Sequence, residues 1–355
     1  MRFPGLIDVH VHLRTPGGEH KEDFRTGSAA ALAGGFTTLL AMPNTQPPLA
    51  AYEEWRIAQT RAQNESLCDV FMYAGASADH IDELPALGEH ALALKIYLND
   101  TYGPLRVEGI DCLKRVFQNW QVSKPIAVHA EGDSVAVAIA MAALYQRHVH
   151  ICHVSRKAEV ELIADAKARG LKVTCEVTPH HLFLTEADAD RLGPLGDMRP
   201  RLASWADVDA LWKHINTTID CVASDHAPHT LAEKGVISKI ADDGADIRSH
   251  ASPPPGVPGL ESTLPLLLTA AAEGRITYDR ITALLHTNPR RIFNLKVQSD
   301  TWVEVDEHAS YTFPDHPLYT KCGWSPFEGQ RMTGRVVSVI LGGREVYKDG
   351  EVLSY

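Results

Sequence analysis

Short runs of apolar, β-forming residues recur along the chain, separated by longer stretches with helical spacing. The runs are 5–13 (GLIDVHVHL), 36–43 (FTTLLAMP), 69–76 (DVFMYAGA), 92–98 (LALKIYL), 125–130 (PIAVHA), 149–154 (VHICHV), 172–178 (KVTCEVT) and 219–225 (IDCVASD). Between them, 20–33, 51–64, 107–119, 132–146, 156–168 and 205–215 read as helices. Eight β runs alternating with helices predict an α/β fold, a closed (β/α)8, TIM-like barrel. An open doubly wound sheet is the alternative, but no GxGxxG follows the first run to support it.

The alternation ends after residue 225. Residues 231–259 form a long polar loop closing on SPPPGVPG, where the prolines forbid helix. Helical stretches follow near 260–273, 278–286 and 288–294, then two β-like stretches, 301–313 and 335–353, with a turn at Lys348-Asp349-Gly350. This divides the chain into a barrel with C-terminal helices over 4–300 and a small β subdomain over 301–355, an appendage formed by the chain ends. The first barrel strand begins within a few residues of Met1. The N-terminal half of the appendage is therefore expected to be missing, and the chain to be a domain cut from a longer protein.

Composition narrows the class. A chain of 355 residues, 45% apolar and 22% charged, buries a large core and is neither disordered nor fibrous. No run of 18 apolar residues predicts a membrane span, and histidines interrupt the N-terminus where a signal peptide needs an apolar stretch. The net charge of −11 argues against non-specific nucleic-acid binding, so a small anionic substrate needs a local cluster of arginine. Six scattered cysteines without a CxxC pair read as reduced thiols, which predicts a cytoplasmic location.

Histidine is the unusual count, at 18, and many are grouped: His10/His12, His150/His153, His180/His181, His226/His229. His10 and His12 stand two apart in a β run, so both face one side while Val9 and Val11 face the other. His129, His153 and Asp225 end later runs, at the barrel end where such folds place their sites. Each alone reads as an ordinary strand-end polar group; together they point to a shared metal centre. Lys95 sits between Leu94 and Ile96 with no polar neighbour within three residues. Lysine is almost never fully buried unpaired. Either it reaches the rim, or it is a neutral amine able to add carbon dioxide, giving a carbamate whose two oxygens can bridge two cations. Arg14 stands two residues beyond His12, so it is expected to project from the same strand face toward the metal mouth.

The stretches PGLIDVHVHLR, AMPNT, LKIYLNDTY, VHAE, HICHVSRK, VTCEVTPHHLFL, SDHAPHT, PPPGVPGLE and NPRRIF resemble the metal-dependent amidohydrolases. Within that superfamily they are most similar to dihydroorotases of the kind built into multifunctional pyrimidine-biosynthesis proteins, and the resemblance covers essentially the whole chain. HxH alone is weakly specific; HVHLR with AMPNT and DHAPH is strongly so.

The resemblance implies a first zinc on His10, His12 and Asp225, a second on His129 and His153, and a carboxylated Lys95 bridging them. It implies that Arg14, Asn44 and His229 grip the substrate's carboxylate, with bidentate arginine geometry in agreement. It also implies substrate contact from Thr101 and Tyr102 in a loop over the site, from Arg199, and from backbone at Pro255 and Gly256. Cys152 and Glu176 match positions that suggest a third zinc beside His10. Against this, strand alternation puts Cys152 and His153 on opposite faces unless a bulge or the strand's end intervenes. One departure is the loop 231–252, longer than in the family.

The implied reaction is the reversible cyclisation of N-carbamoyl-L-aspartate to L-dihydroorotate in pyrimidine biosynthesis, with Asp225 moving the proton. The implied partners are a second copy of the chain and fused carbamoyl phosphate synthetase and aspartate transcarbamoylase, with neither nucleic acid nor membrane. Three rivals remain. A hydantoinase or allantoinase would not need the Arg14/Asn44/His229 grip. An inactive dihydroorotase-like scaffold would not need the full ligand set. A mononuclear deaminase would not explain Lys95.

Overall fold

The apolar runs become strands, most of them buried along their whole length. The computed structural model describes residues 1–101, 103–236 and 253–353. Arg2–Pro4 (β1) precedes the barrel strands, which are Leu6–Val11 (β2), Phe36–Ala41 (β3), Asp69–Met72 (β4) continued by Ala74–Gly75 (β5), Leu94–Tyr97 (β6), Ile126–His129 (β7), Val149–Ile151 (β8), Val173–Val177 (β9) and Cys221–Val222 (β10). All pair in parallel in chain order, with β4 and β5 forming one stave broken at Tyr73. The ring closes where Val11 bridges His226 and the His12 N–H donates to the His226 carbonyl at 2.7 Å. The eightfold (β/α) barrel expected from the alternation is therefore the observed fold.

Helices at Phe24–Ala33, Tyr52–Glu65, Ile110–Asn119, Asp133–Tyr145, Lys157–Ala168 and Trp205–His214 cover the staves within a few residues of the expected bounds. Their buried faces form one layer with the outer strand faces, including Leu32, Phe117, Val160 and Leu211. The barrel interior is filled separately by Ile7, Val9, Leu40, Met42, Tyr73, Ala127, Cys152 and Cys221.

Val9 and Val11 do not share a face as simple alternation required. The β2–β3 register shifts between Asp8 and Val11. Val9 consequently packs inside the barrel and Val11 in the outer layer. A bulge re-aims side chains in this way at the rim of a sheet.

Beyond the barrel, Trp302–Thr312 (β11), Arg331–Leu341 (β12), Arg344–Lys348 (β13) and Glu351–Val352 (β14) make an antiparallel sheet, with left-handed Asp349 and Gly350 at its last turn. β1 joins its edge, Phe3 opposite Val303, so the appendage does include a strand from the N-terminal side. The stretch 335–353, expected as β-strands with a turn at Lys348-Asp349-Gly350, holds most of β12 together with β13 and β14, with that turn between β13 and β14. Trp324, Phe327 and Phe313 pack with Leu202 and Val257, which ties the appendage to loops at the mouth. Among the described residues no helix is long and apolar enough to cross a membrane.

Candidate active site and metal centre

The polar residues singled out in the sequence converge at the C-terminal end of the staves. His10 and His12 present Nε2 to the same Asp225 oxygen, each at 3.2 Å. The rings of His129 and His153 meet with Nδ1 and Nε2 2.8 Å apart, and His153 stacks 5.2 Å from His10. Lys95 lies under them, fully buried, with Nζ 2.9 Å from Cys152 Sγ and 5.1 Å from the Tyr97 ring centre.

Three of these residues reach the mouth through backbone that alternation cannot foresee. Arg14, His153 and Asp225 have φ of 60°, 36° and 45°. Left-handed backbone is uncommon outside glycine and clusters where a site requires it. At His153 it resolves the Cys152 conflict. β8 has already ended at Ile151, and the left-handed turn lets consecutive side chains both face the centre. At Arg14 it corrects the expectation. β2 stops at Val11, so Arg14 arrives by a turn rather than by strand alternation.

The hydrogen bonds around the histidines decide which nitrogen faces inward. The His12 Nδ1–H donates to Asn44 Oδ1 at 2.8 Å, leaving the Nε2 lone pair toward Asp225. Orienting a ligand imidazole through its other nitrogen is a common device at metal sites. Asn44, expected only as a substrate contact, therefore also positions His12. His10 has a carboxylate at both nitrogens, Glu176 at Nδ1 and Asp225 at Nε2. His10, Cys152 and Glu176 offer donor atoms within 4.8 Å of one another, and so do His10, His12 and Asp225.

Burial disfavours charge on His12, His129 and His153, while any charge the neighbouring imidazoles carry favours ionised carboxylates. Burial pushes His12 down to about 4, and it pushes His129 and His153 down as well. Burial opposes the charge on Asp225, yet the charges of His10, His12 and His153 outweigh it and hold its carboxyl well below the usual range. For Glu176 the same opposition is outweighed by His10 and His150, and it too lies below the usual range. Burial pushes the Cys152 thiol up.

These residues fit a cation centre. His153 Nδ1 is buried without a hydrogen-bond partner among the described residues, and His129 Nε2 has the Glu131 carboxylate 3.3 Å away. Buried unbonded nitrogens are costly unless something else satisfies them. Imidazole, carboxylate and thiolate are the donor types zinc accepts.

Most of the residues expected to contact substrate surround a small cavity beside His12 and Asp225. About 30 Å³ is lined by His12, Arg14, Asn44, Thr101, Arg199, Asp225, Ala227, Pro255 and Gly256. It adjoins a basin of about 460 Å³ bounded by Arg14, Lys21, Asn44, Gly103 and Pro104. The small cavity by itself holds a water or two, not a ring. Gly103 packs on Asn44 at a φ of 109°, which side chains rarely adopt. Tyr102 lies outside the described residues, as do 237–252 of the long loop.

Arg14 donates through Nε to the Pro228 carbonyl at 3.1 Å, and its Nη2 lies 3.0 Å from His229 Nε2. The same His229 nitrogen is 3.1 Å from the Pro255 carbonyl, and Lys21 Nζ is 3.2 Å from His229 Nδ1. Burial, then Arg14, Lys21 and Lys234, push His229 far below its ordinary value and keep it neutral. Arg14→Ala should weaken substrate binding without releasing metal. A charge-assisted hydrogen bond contributes about 1.5–3 kcal/mol, which raises KM roughly 10- to 100-fold. An unchanged KM with dihydroorotate would make Arg14 structural.

Sequence reasoning assigned no role to several residues found here. Asp8 accepts from the His10 and Ser224 N–H groups and ties the first stave to the last. Burial raises it from 3.8 to about 7. Among the described residues Tyr97 is buried with its hydroxyl unbonded, and its place two residues after Lys95 on one strand was the available signal. His180 is likewise buried with Nε2 unbonded among the described residues. His181 instead bonds the Pro200 carbonyl at 3.0 Å and so steadies the Arg199 segment.

Comparison with known proteins agrees with this geometry. The dihydro-orotase-like family model matches residues 1–103. Multifunctional protein CAD of Squalus acanthias is 48% identical over 354 residues, 99% of this chain but 15% of that polypeptide. The chain thus spans a small part of that relative's length. The dihydroorotase of Pyrococcus furiosus is 34% identical over 364 residues, covering 99% of this chain and 82% of that one. Among solved structures, an L-hydantoinase from Arthrobacter aurescens superposes with a TM-score of 0.87 at 25% identity, over 100% of this chain and 87% of its own. The inactive dihydroorotase-like domain of a Chaetomium thermophilum CAD-like multifunctional protein gives 0.81 at 26% identity, over 100% and 97%. With a relative 34% identical and covered over 82% of its length and a barrel of the same build, this chain belongs to the dihydroorotase family of cyclic amidohydrolases.

Proposed function

We propose that this chain is a zinc-dependent dihydroorotase that interconverts L-dihydroorotate and N-carbamoyl-L-aspartate. The observation that carries this reading is the single cavity in which Arg14, Asn44 and Arg199 face His12 and Asp225. A carboxylate held by the arginines places a ring amide against the buried donors. His10, His12 and Asp225 would hold one zinc, His129 and His153 a second, with carboxylated Lys95 between them. Zinc bound there lowers the pKa of water and polarises a carbonyl.

The chain's own residues do the rest. Asp225, held ionised, takes the proton from the attacking water and delivers it to the ring nitrogen as the carbon–nitrogen bond breaks. In the reverse direction the same carboxylate takes that proton from the ureido nitrogen during closure. Arg14 and Arg199 fix the substrate's orientation, and Thr101 closes the mouth against bulk water.

Three further parts belong to the proposal: work inside a longer polypeptide with carbamoyl phosphate synthetase and aspartate transcarbamoylase, supported by multifunctional relatives of which this chain spans 15%, assembly as a homodimer, which rests on the family resemblance, and a cytoplasmic setting, which rests on the scattered free cysteines. The test of function is turnover of L-dihydroorotate beside dihydrouracil and hydantoin, which lack the carboxylate. We expect turnover of the first alone. Preference for either uncharged ring would favour a hydantoinase, and no turnover of any would favour an inactive scaffold.

A third zinc on His10, Cys152 and Glu176 is part of the proposal. The competing role for Glu176 is that of acceptor for the His10 and His150 ring nitrogens, the second at 3.1 Å. Emission spectroscopy should find three zincs per chain in the wild type and two in Cys152→Ser. Two in both would leave only the binuclear site.

A further inference from the structure

Lys234 is the second fully buried lysine among the described residues beside Lys95, and the reaction outlined above leaves it without a role. Its side chain reaches two segments that carry cavity-lining residues. Nζ donates to the Asp197 carbonyl and to the Pro254 carbonyl, both at 3.0 Å, and lies 5.8 Å from the centre of the Trp324 ring. The Asp197 carbonyl also accepts from the Gly256 N–H at 2.9 Å. Two segments with no sequence proximity are thus knotted at one point. One carries Arg199 to the cavity; the other carries Pro255 and Gly256.

A knot of this kind needs donors, not a charge. A buried ammonium is an expensive way to make two hydrogen bonds to neutral carbonyls. The groups that face it do not remove the expense. Asp197 and Cys322 favour its charge, Arg14 and Arg199 oppose it, and burial, the largest influence, moves it from 10.5 down to about 8. Because the folded value lies below the free one, folding releases the proton more readily than the unfolded chain does. Stability therefore rises with pH between about 8 and the ordinary lysine range, and at neutral pH the charge works against the fold. A charge kept at such a cost, on the segments that carry Arg199, Pro255 and Gly256 to the cavity, suits an anion-binding role.

We propose that Lys234 is a positioning residue for substrate: it clamps the Arg199 segment to the segment of Pro255 and Gly256, and its charge adds to Arg14 and Arg199 in drawing the substrate carboxylate into the cavity. This rests on the dihydroorotase reading. Above pH 8 the neutral amine still donates two hydrogen bonds, so the clamp stays and only the charge is lost. The two contributions are thereby separable.

The experiment measures kcat and KM for L-dihydroorotate from pH 6.5 to 9.5 in the wild type, Lys234→Met and Lys234→Gln, with zinc content and thermal unfolding of each. In the wild type KM should rise as pH passes about 8, with kcat nearly constant. Lys234→Met should raise KM roughly tenfold or more at pH 7, keep its zinc, and lose the alkaline rise. Lys234→Gln keeps donor capacity without the charge. It should fold even if the methionine variant does not, and its KM should be raised and flat across the alkaline range. A folded variant with wild-type KM, or an alkaline rise that survives in both variants, overturns the proposal. A wild type that fails to turn over dihydroorotate overturns the functional reading itself, and this inference with it.

Discussion

Replacing Lys95 by alanine is expected to remove nearly all activity and much of the bound metal. The side chain is wholly buried, and the partners the structure gives it are a thiol sulfur and an aromatic ring. Neither is an anion that would balance an ammonium. On the proposed chemistry the neutral amine's lone pair bonds to the carbon of carbon dioxide and one N–H proton leaves, so an unsatisfied group becomes an anionic carbamate. Alanine deletes both bridging oxygens. Several kcal/mol of transition-state stabilisation then disappears, a loss on the order of 10³-fold or more in kcat. Short carboxylic acids fit the vacated space and should restore part of the rate. Full activity with full zinc content in Lys95→Ala would show that the lysine is only a buried core residue.

The second large effect concerns Asp225. The change Asp225→Asn keeps the volume and the left-handed backbone, which asparagine tolerates better than most residues, but loses the charge. It should lower kcat by about 10²–10⁴-fold, the usual contribution of a positioned proton acceptor. KM should change less, because Arg14 and Arg199 hold the substrate carboxylate. A wild-type kcat in this variant would move the proton transfer to another group.

The sequence made much of this legible, and the particular failures are informative. Period and alternation located eight staves, since parallel strands joined by helices leave long apolar runs and regular spacing. The residue types at strand ends singled out the side chains that converge at the mouth, because polar side chains have little other reason to end buried strands together. What escaped was local backbone. The register shift after Asp8 separated Val9 from Val11, and left-handed turns at Arg14 and His153 carried side chains where alternation would not. Such turns are set by neighbouring loops rather than by the residue's own propensity. Residues that act through others also escaped. Asp8 joins the first and last staves, and Lys234 joins two loops, through bonds to backbone groups distant in sequence. No spacing rule reports a contact of that kind. The short helix Leu84–His90 was missed as well, seven residues being too few to establish a period.

The measurement that bears most directly on the central claim is zinc anomalous scattering from crystals of the wild-type protein, refined together with the density beyond Lys95 Nζ. The account predicts one peak bounded by His10, His12 and Asp225, a second bounded by His129 and His153, a third bounded by His10, Cys152 and Glu176, and carbamate density joining Lys95 to the first two. A single peak, or two peaks with an unmodified lysine amine between them, would contradict it.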